Sequence, residues 1–199
     1  HAGSAGELRE GKMSIFEGGT RVPFIARLPR LTPAGAECDG LVAAMDVLPT
    51  VAALCGARAP ARRIDGVNVE ALLRDPAAAS PREVLYHYYG ASLNALRRGR
   101  WKLVLPHTYV SSAGVRPGSG GYRGPESQGR AGLELYDLET DPGEQRDLAG
   151  LRPDVVAELQ EFVSAARAAL GDRNLDRKGT EVRGPGRLPA ERAHPGGHR

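Results

Sequence analysis

Residues 83–105 read Glu83-Val84-Leu85-Tyr86-His87-Tyr88-Tyr89-Gly90-Ala91-Ser92-Leu93-Asn94-Ala95-Leu96-Arg97-Arg98-Gly99-Arg100-Trp101-Lys102-Leu103-Val104-Leu105. Three runs, Glu83 to Tyr89, Leu93 to Arg97 and Trp101 to Leu105, carry β-branched and aromatic residues and are parted by turn residues such as Gly90 and Gly99. A fourth run, Leu133 to Leu138, is closed by Asp141-Pro142-Gly143, a strong turn signal. Four such runs within about 60 residues predict a small antiparallel sheet.

Working outward, Val155, Val156, Leu159, Phe162, Val163, Ala166 and Leu170 repeat at helical spacing and predict a helix from Pro153 to Leu170. Pro153 suits the first turn and Gly171 ends it. The apolar stripe of this helix is expected to cover one face of the sheet, as in α+β architectures. Between the third and fourth strands, Ser111 to Arg130 reads as a long Gly/Ser/Pro loop, a length usually reserved for function or disorder.

Upstream, residues 1–20 form a glycine-rich loop, and Val22 to Leu28 is expected to be a short buried strand bounded by Pro23 and Pro29. A helix follows, with Asp46 as N-cap, Pro49 in the first turn and Gly56 as the stop signal. Residues 57–81 read as a connector with a short apolar piece from Val67 to Leu73.

The 199 residues are ample for a hydrophobic core, and 41% hydrophobic with 26% charged residues are ordinary globular values. From Gly171 to Arg199 seven basic residues face four acidic ones, so the formal excess of +3 lies in the tail and the body is neutral. A neutral body is not built for a phosphate backbone, which argues against a nucleic-acid partner. The basic tail reads as solvated terminus. Cys38 and Cys55 lack metal-ligand spacing, and Cys55 is expected to be a small core residue. The most apolar stretch, Leu41 to Ala57, is too short to span a bilayer. The chain begins with His1, so the absence of a leader says little.

The residues alone hold no complete catalytic constellation: no Gly-x-Ser-x-Gly elbow, no P-loop, no His/Cys ligand cluster. Two places stand out. Lys12, in a glycine-rich loop, can present a compact ammonium to an oxyanion. His107, in Pro106-His107-Thr108-Tyr109, sits at a strand end where the long loop begins.

Glu10-Gly11-Lys12 with Phe16-Glu17-Gly18-Gly19-Thr20-Arg21-Val22-Pro23 resembles a signature of the sulfatase family, Gly-Lys followed by a spacer and Glu-Gly-Gly-x-Arg-x-Pro. Met45-Asp46-Val47-Leu48-Pro49-Thr50 resembles that family's Asp-Leu-Leu-Pro-Thr helix start. Tyr136-Asp137-Leu138 with Asp141-Pro142-Gly143-Glu144 resembles its Tyr-Asp-Leu-x-x-Asp-Pro-x-Glu strand and turn. The motifs agree in order over roughly residues 7 to 170. The opening residues and Pro106 to Tyr109 are closest to a bacterial arylsulfatase-like subgroup.

The resemblance implies an alkaline-phosphatase-like fold, α/β to α+β. Residues 1–80 would form the C-terminal edge of the α/β catalytic domain. Residues 81–170 would form a small subdomain, its four-stranded antiparallel sheet packed by the C-terminal helix, and 171–199 a basic, flexible tail. It implies hydrolysis of sulfate esters, of sulfated carbohydrates or other small molecules, with a formylglycine nucleophile and calcium. Neither cysteine fits the Cys/Ser-x-Pro-x-Arg formylglycine motif, and the family's metal ligands lie upstream of this segment, so no metal ligand is expected here. Of the core site only Lys12 carries over, contacting a sulfate oxygen. His107 is expected to face the substrate, and His1 to border the pocket. The residues leave the localisation unknown; the resemblance implies a periplasmic or secreted place.

Two explanations fit, a truncated form of a complete sulfatase or a free-standing remnant that binds a sulfated ligand or is inert; the intact motifs favour the first. A phosphoryl or phosphonyl hydrolase of the same superfamily is the alternative enzyme. An isolated piece of this kind is expected to expose apolar surface and to be poorly soluble.

Overall fold

The computed structural model describes residues 4–58, 60–111, 113–116, 118–122 and 124–184. The elements run α1 (Glu17–Thr20), a 3-10 turn (Ala44–Asp46), α2 (Val47–Leu54), α3 (Glu70–Arg74), β1 (Val84–Tyr89), β2 (Ser92–Arg98), β3 (Trp101–Val104), β4 (His107–Ser111), β5 (Ser127–Ala131), β6 (Glu134–Asp137) and α4 (Pro153–Leu170). A closing hairpin, β7 (Gly171–Asp172) and β8 (Arg177–Lys178), follows α4.

The four predicted strands form one antiparallel sheet in the order β1-β2-β3-β6. Gly90 and Gly99, both at positive φ, make the tight turns that let β1, β2 and β3 pair as neighbours. Strand alternation divides the side chains between two faces. On one, Leu96, Leu103 and Leu135 meet Val155, Leu159 and Val163 of α4 as the main core. Each fully buried leucine contributes about 1.5–3 kcal/mol of burial free energy. On the other face, Ala95, Val104 and Tyr136 pack under Ile15, Phe16 and Ala131. The N-terminal segment therefore lies across the sheet, opposite α4.

The loop expected from Ser111 to Arg130 contains a strand: β5 pairs with β4 from His107↔Ala131 to Ser111↔Ser127. Ser127-Gln128-Gly129-Arg130-Ala131 has no apolar alternation and so gives no strand signal. His107 consequently opens a two-stranded ribbon rather than ending a sheet strand.

Three further expectations are corrected. Val22 to Leu28 forms no strand; Val22, Phe24 and Ile25 are exposed, Ile25 to 92%. A strand needs a neighbour for its N–H and C=O groups, and none of the described strands lies beside it. Cys55 is exposed, as is Cys38, because the apolar run holding Cys55 turns Val47, Leu48 and Val51 outward as well. The tail does not come loose at 171. Thr180 and Glu181 donate backbone bonds to the Ala168 and Ala169 carbonyls of α4, and buried Asp172 accepts from Arg167 Nε at 2.9 Å. Residues 185–199 lie outside the described residues.

α2 ends as expected. Gly56 at φ +64° donates to Ala53 O and Ala57 donates to Ala52 O, the Schellman pair that satisfies the last carbonyls. Its start differs. Asp46 stands at the N-cap position of α2, but its side chain bonds no N–H of that helix and instead accepts from the backbone N–H groups of Ala43 and Val67, both at 2.8 Å, and from Arg82. No helix among the described residues is long and apolar enough to cross a membrane.

Candidate functional site

The site begins with the turn that carries Lys12. Ser14 closes it by donating N–H and Oγ–H to the Gly11 carbonyl, at 3.2 and 2.9 Å. Flanking Lys12, Glu10 has φ +58° and Met13 has φ +82°, left-handed conformations that L side chains rarely adopt. Strained backbone of this kind persists only where neighbours over-determine it. Here the neighbours are Gly18 and Gly19 in α1. A Cβ on Gly18 would meet the carbonyl oxygens of Arg9 and Glu10, and one on Gly19 those of Gly11 and Ser14. Gly18 N–H also donates to Arg9 O at 2.9 Å. The two glycines are therefore the floor on which the Lys12 turn rests.

Lys12 is exposed and makes no ion pair or side-chain hydrogen bond with the described residues. Its neighbour Met13 lines a cleft of about 170 Å³ together with Tyr89, Asn94, His107, Tyr109 and Gln128. The structure thus places His107 and the Lys12 turn beside one cleft, with Lys12 outside its lining. His107 Nδ1 lies 2.7 Å from the Leu105 carbonyl. Only an N–H can donate to that oxygen, so Nδ1 is the donor of this bond. Nε2 is buried without a partner. The ring stands beside Phe16 and Tyr109, at centroid distances of 6.4 and 5.7 Å. Arg9 stacks 3.7 Å over Phe16 and donates to Tyr136 Oη at 2.7 Å and Glu134 at 3.2 Å. These contacts fix the segment before Lys12 to β6. His1 lies outside the described residues.

Beneath the turn lies a charged cluster that reading the sequence missed. Lys102 of β3 is fully buried, with Nζ 3.0 Å from Glu17 Oε1 and 2.9 Å from Glu144 Oε1. Glu17 N–H donates to Glu144 Oε2 at 2.7 Å, and Arg97 lies 3.7 Å from Glu17 Oε2. Burial raises the Glu144 carboxyl above its ordinary value despite the adjacent Lys102. On β1, burial and then the charges of Lys102 and Arg97 push His87 down to about 3, so its imidazole is neutral. Glu17 and Glu144 stood in recognisable motifs, but nothing local in the sequence shows that both reach one strand lysine.

A larger cavity of about 740 Å³ lies between residues 21–26, residues 36–42, α3 and Arg97. Among the described residues no group of three His, Cys, Asp or Glu side chains could hold a metal ion.

Against known proteins, the model for the C-terminal region of aryl-sulfatase matches residues 80–184, and that for the C-terminal part of N-sulphoglucosamine sulphohydrolase matches residues 10–109. Steryl-sulfatase of Mus musculus is 36% identical over 177 residues, covering 84% of this chain and 28% of the relative. Arylsulfatase A of Bos taurus is 33% identical over 169 residues, covering 82% and 33%. The PsFucS1 sulfatase from Pseudoalteromonas sp. shares the fold with a TM-score of 0.66 at 23% identity, over 81% of this chain and 32% of that one. The chain spans about a third of the length of these curated relatives, 28% and 33%.

Proposed function

The chain belongs to the sulfatase family, whose C-terminal region it carries, and we propose from this that it serves an enzyme hydrolysing sulfate esters, with Lys12 holding a sulfate oxygen. The observation that carries the role of Lys12 is its setting: an exposed ammonium without an ion-pair partner among the described residues, on a turn whose backbone is held by Gly18 and Gly19. A lysine kept free of carboxylates on a rigid turn is prepared for an anion that arrives from outside. Sulfuryl transfer spreads negative charge over the sulfate oxygens. A fixed positive charge there stabilises the transition state without reorganisation.

His107 is proposed to accept a hydrogen bond from a substrate hydroxyl through Nε2, and His1 to border the same pocket. A hydroxyl-bearing leaving group, as in a sulfated carbohydrate, suits that acceptor. Neither cysteine fits the formylglycine motif of the family, and the described residues offer no cluster for its divalent cation. Cys38 precedes Asp39-Gly40-Leu41, Cys55 precedes Gly56-Ala57-Arg58, and no ligand cluster exists among the described residues. The role proposed for this chain is therefore confined to anion and substrate binding.

The test is sulfate-ester hydrolysis by the full-length enzyme that carries this chain, with and without Lys12→Ala. Removing one preorganised charge-stabilising group is expected to lower kcat by about 100-fold or more. Unchanged kcat and KM would remove Lys12 from the site.

A further inference from the structure

We propose that Lys102 is a positioning residue for Lys12, acting through Glu17 and the two glycines that follow it; this rests on the reading of Lys12 as the sulfate-oxygen ligand. Each link has its own geometry. Lys102 Nζ holds Glu17 Oε1 at 3.0 Å and Glu144 Oε1 at 2.9 Å, and Glu144 Oε2 takes the Glu17 N–H at 2.7 Å. The first residue of α1 is thereby fixed through both its backbone and its side chain. Gly18 and Gly19 come next, and their Cα atoms abut the carbonyls of Arg9, Glu10, Gly11 and Ser14 that bracket Lys12. A shift of α1 is transmitted to the turn, because the two glycines meet backbone carbonyls and, at Gly19, the short Ser14 Oγ that is itself bonded to the Gly11 carbonyl.

The energetics favour a positional role over a stabilising one. Lys102, Glu17 and Glu144 are taken out of water here, their side chains 0%, 2% and 0% exposed, while Arg97 approaches Glu17 from the rim of the cluster. Desolvation offsets most of the Coulomb gain in such clusters, and apolar replacement of a whole cluster is often neutral for stability. The contacts of the cluster hold Glu17 by side chain and backbone, and so set where α1 sits. That in turn defines where the Lys12 ammonium stands.

The experiment is a double-mutant cycle on the full-length enzyme, combining Lys102→Met with Lys12→Ala and measuring kcat, KM and melting temperature for each. Lys102→Met is expected to lower kcat/KM by about 100-fold when Lys12 is present, since small misplacement of a catalytic group costs that much. On the Lys12→Ala background the same change is expected to cost less than about threefold. If Lys102→Met does not fold, the variant with Lys102→Met, Glu17→Gln and Glu144→Gln replaces the charges together and closes the same cycle. Equal losses on both backgrounds, as a purely structural role would give, overturn the proposal. If Lys12→Ala alone leaves kcat/KM unchanged, the sulfate-ligand reading falls and this proposal with it. That outcome shows in the single variant, so the two failures are told apart.

Discussion

Asp46 and Arg82, 36 residues apart in the chain, form a buried two-point ion pair in which Arg82 Nε donates to Asp46 Oδ2 at 2.7 Å and the second guanidinium arm reaches Oδ1. The same carboxylate takes the N–H groups of Ala43 and Val67, so one side chain joins the entry to α2, the connector before α3 and the entry to β1. Arg82→Ala leaves that carboxylate buried without its counter-charge and is expected to cost about 3–5 kcal/mol, read as a lower urea midpoint. Burial pushes Asp46 up, but the bonds from Arg82, Val67 and Ala43 outweigh it and hold the carboxyl below its ordinary 3.8. A depressed carboxylate stabilises the fold above its unfolded pKa, and this contribution is lost as pH falls below 3.8 through the folded value. Arg82→Ala should therefore cost less in acid than at pH 7. An equal cost at both would sink this account.

His87 has the same sign over a different window. Its folded value is about 3 against 6.5 for the free side chain, because the buried ring cannot take a proton beside Lys102 and Arg97. Between those limits the unfolded chain binds a proton that the folded chain refuses, so stability falls as pH drops from 6.5 toward 3. The slope from this one group is about 1.4 kcal/mol per pH unit. His87→Phe is expected to flatten the urea-stability profile across that window. A profile of unchanged slope would remove His87 from the linkage.

Gly18→Ala places a Cβ against the carbonyl oxygens of Arg9 and Glu10, both backbone atoms that cannot rotate aside. The expected result is a loss of about 1–3 kcal/mol in stability, as for other overpacked sites. If Lys12 is the sulfate-oxygen ligand, activity should fall further than stability does, because the displaced atoms belong to its turn. Gly132→Ala, which meets nothing within 4 Å, is the control and should change neither. A Gly18→Ala enzyme with normal kcat would show that the turn tolerates displacement.

The four-stranded sheet and α4 were legible because their information is local: alternation in the strands, a 3.6-residue stripe in the helix, and glycines at the turns. The motif bearing Lys12 was legible as a pattern. The reason for its two glycines was not, since it lies in a backbone approach that only coordinates reveal. Asp46 looked like a cap because its spacing to Pro49 is that of a helix start, yet Arg82 lies 36 residues on and no local rule brings it there. Lys102 sits among strand apolars, where an alternating pattern assigns a side chain to a face but not to a partner. β5 escaped because pairing with β4, rather than burial of apolar residues, makes it a strand. Val22 to Leu28 and Cys55 misled for a common reason. Apolar composition marks surface that some neighbour covers, and the described residues supply no neighbour.

That surface yields the last prediction. Val22, Phe24 and Ile25 on one segment and Val47, Leu48 and Val51 on α2 are exposed, Phe24 and Ile25 to 64% and 92%. Apolar groups so disposed drive association, since each pair of patches brought together removes area from water at about 25 cal/mol per Å². The 199-residue chain alone is expected to self-associate and to enhance the fluorescence of a hydrophobic dye. Ile25→Glu with Val51→Glu should reduce both effects while changing stability by no more than about 0.5 kcal/mol, the range for exposed positions. Leu159→Glu, at a core position 1% exposed, should instead unfold the chain and raise dye binding. A monodisperse monomer that leaves the dye dark and melts cooperatively would mean that these side chains find cover within the chain itself, against the exposure described above.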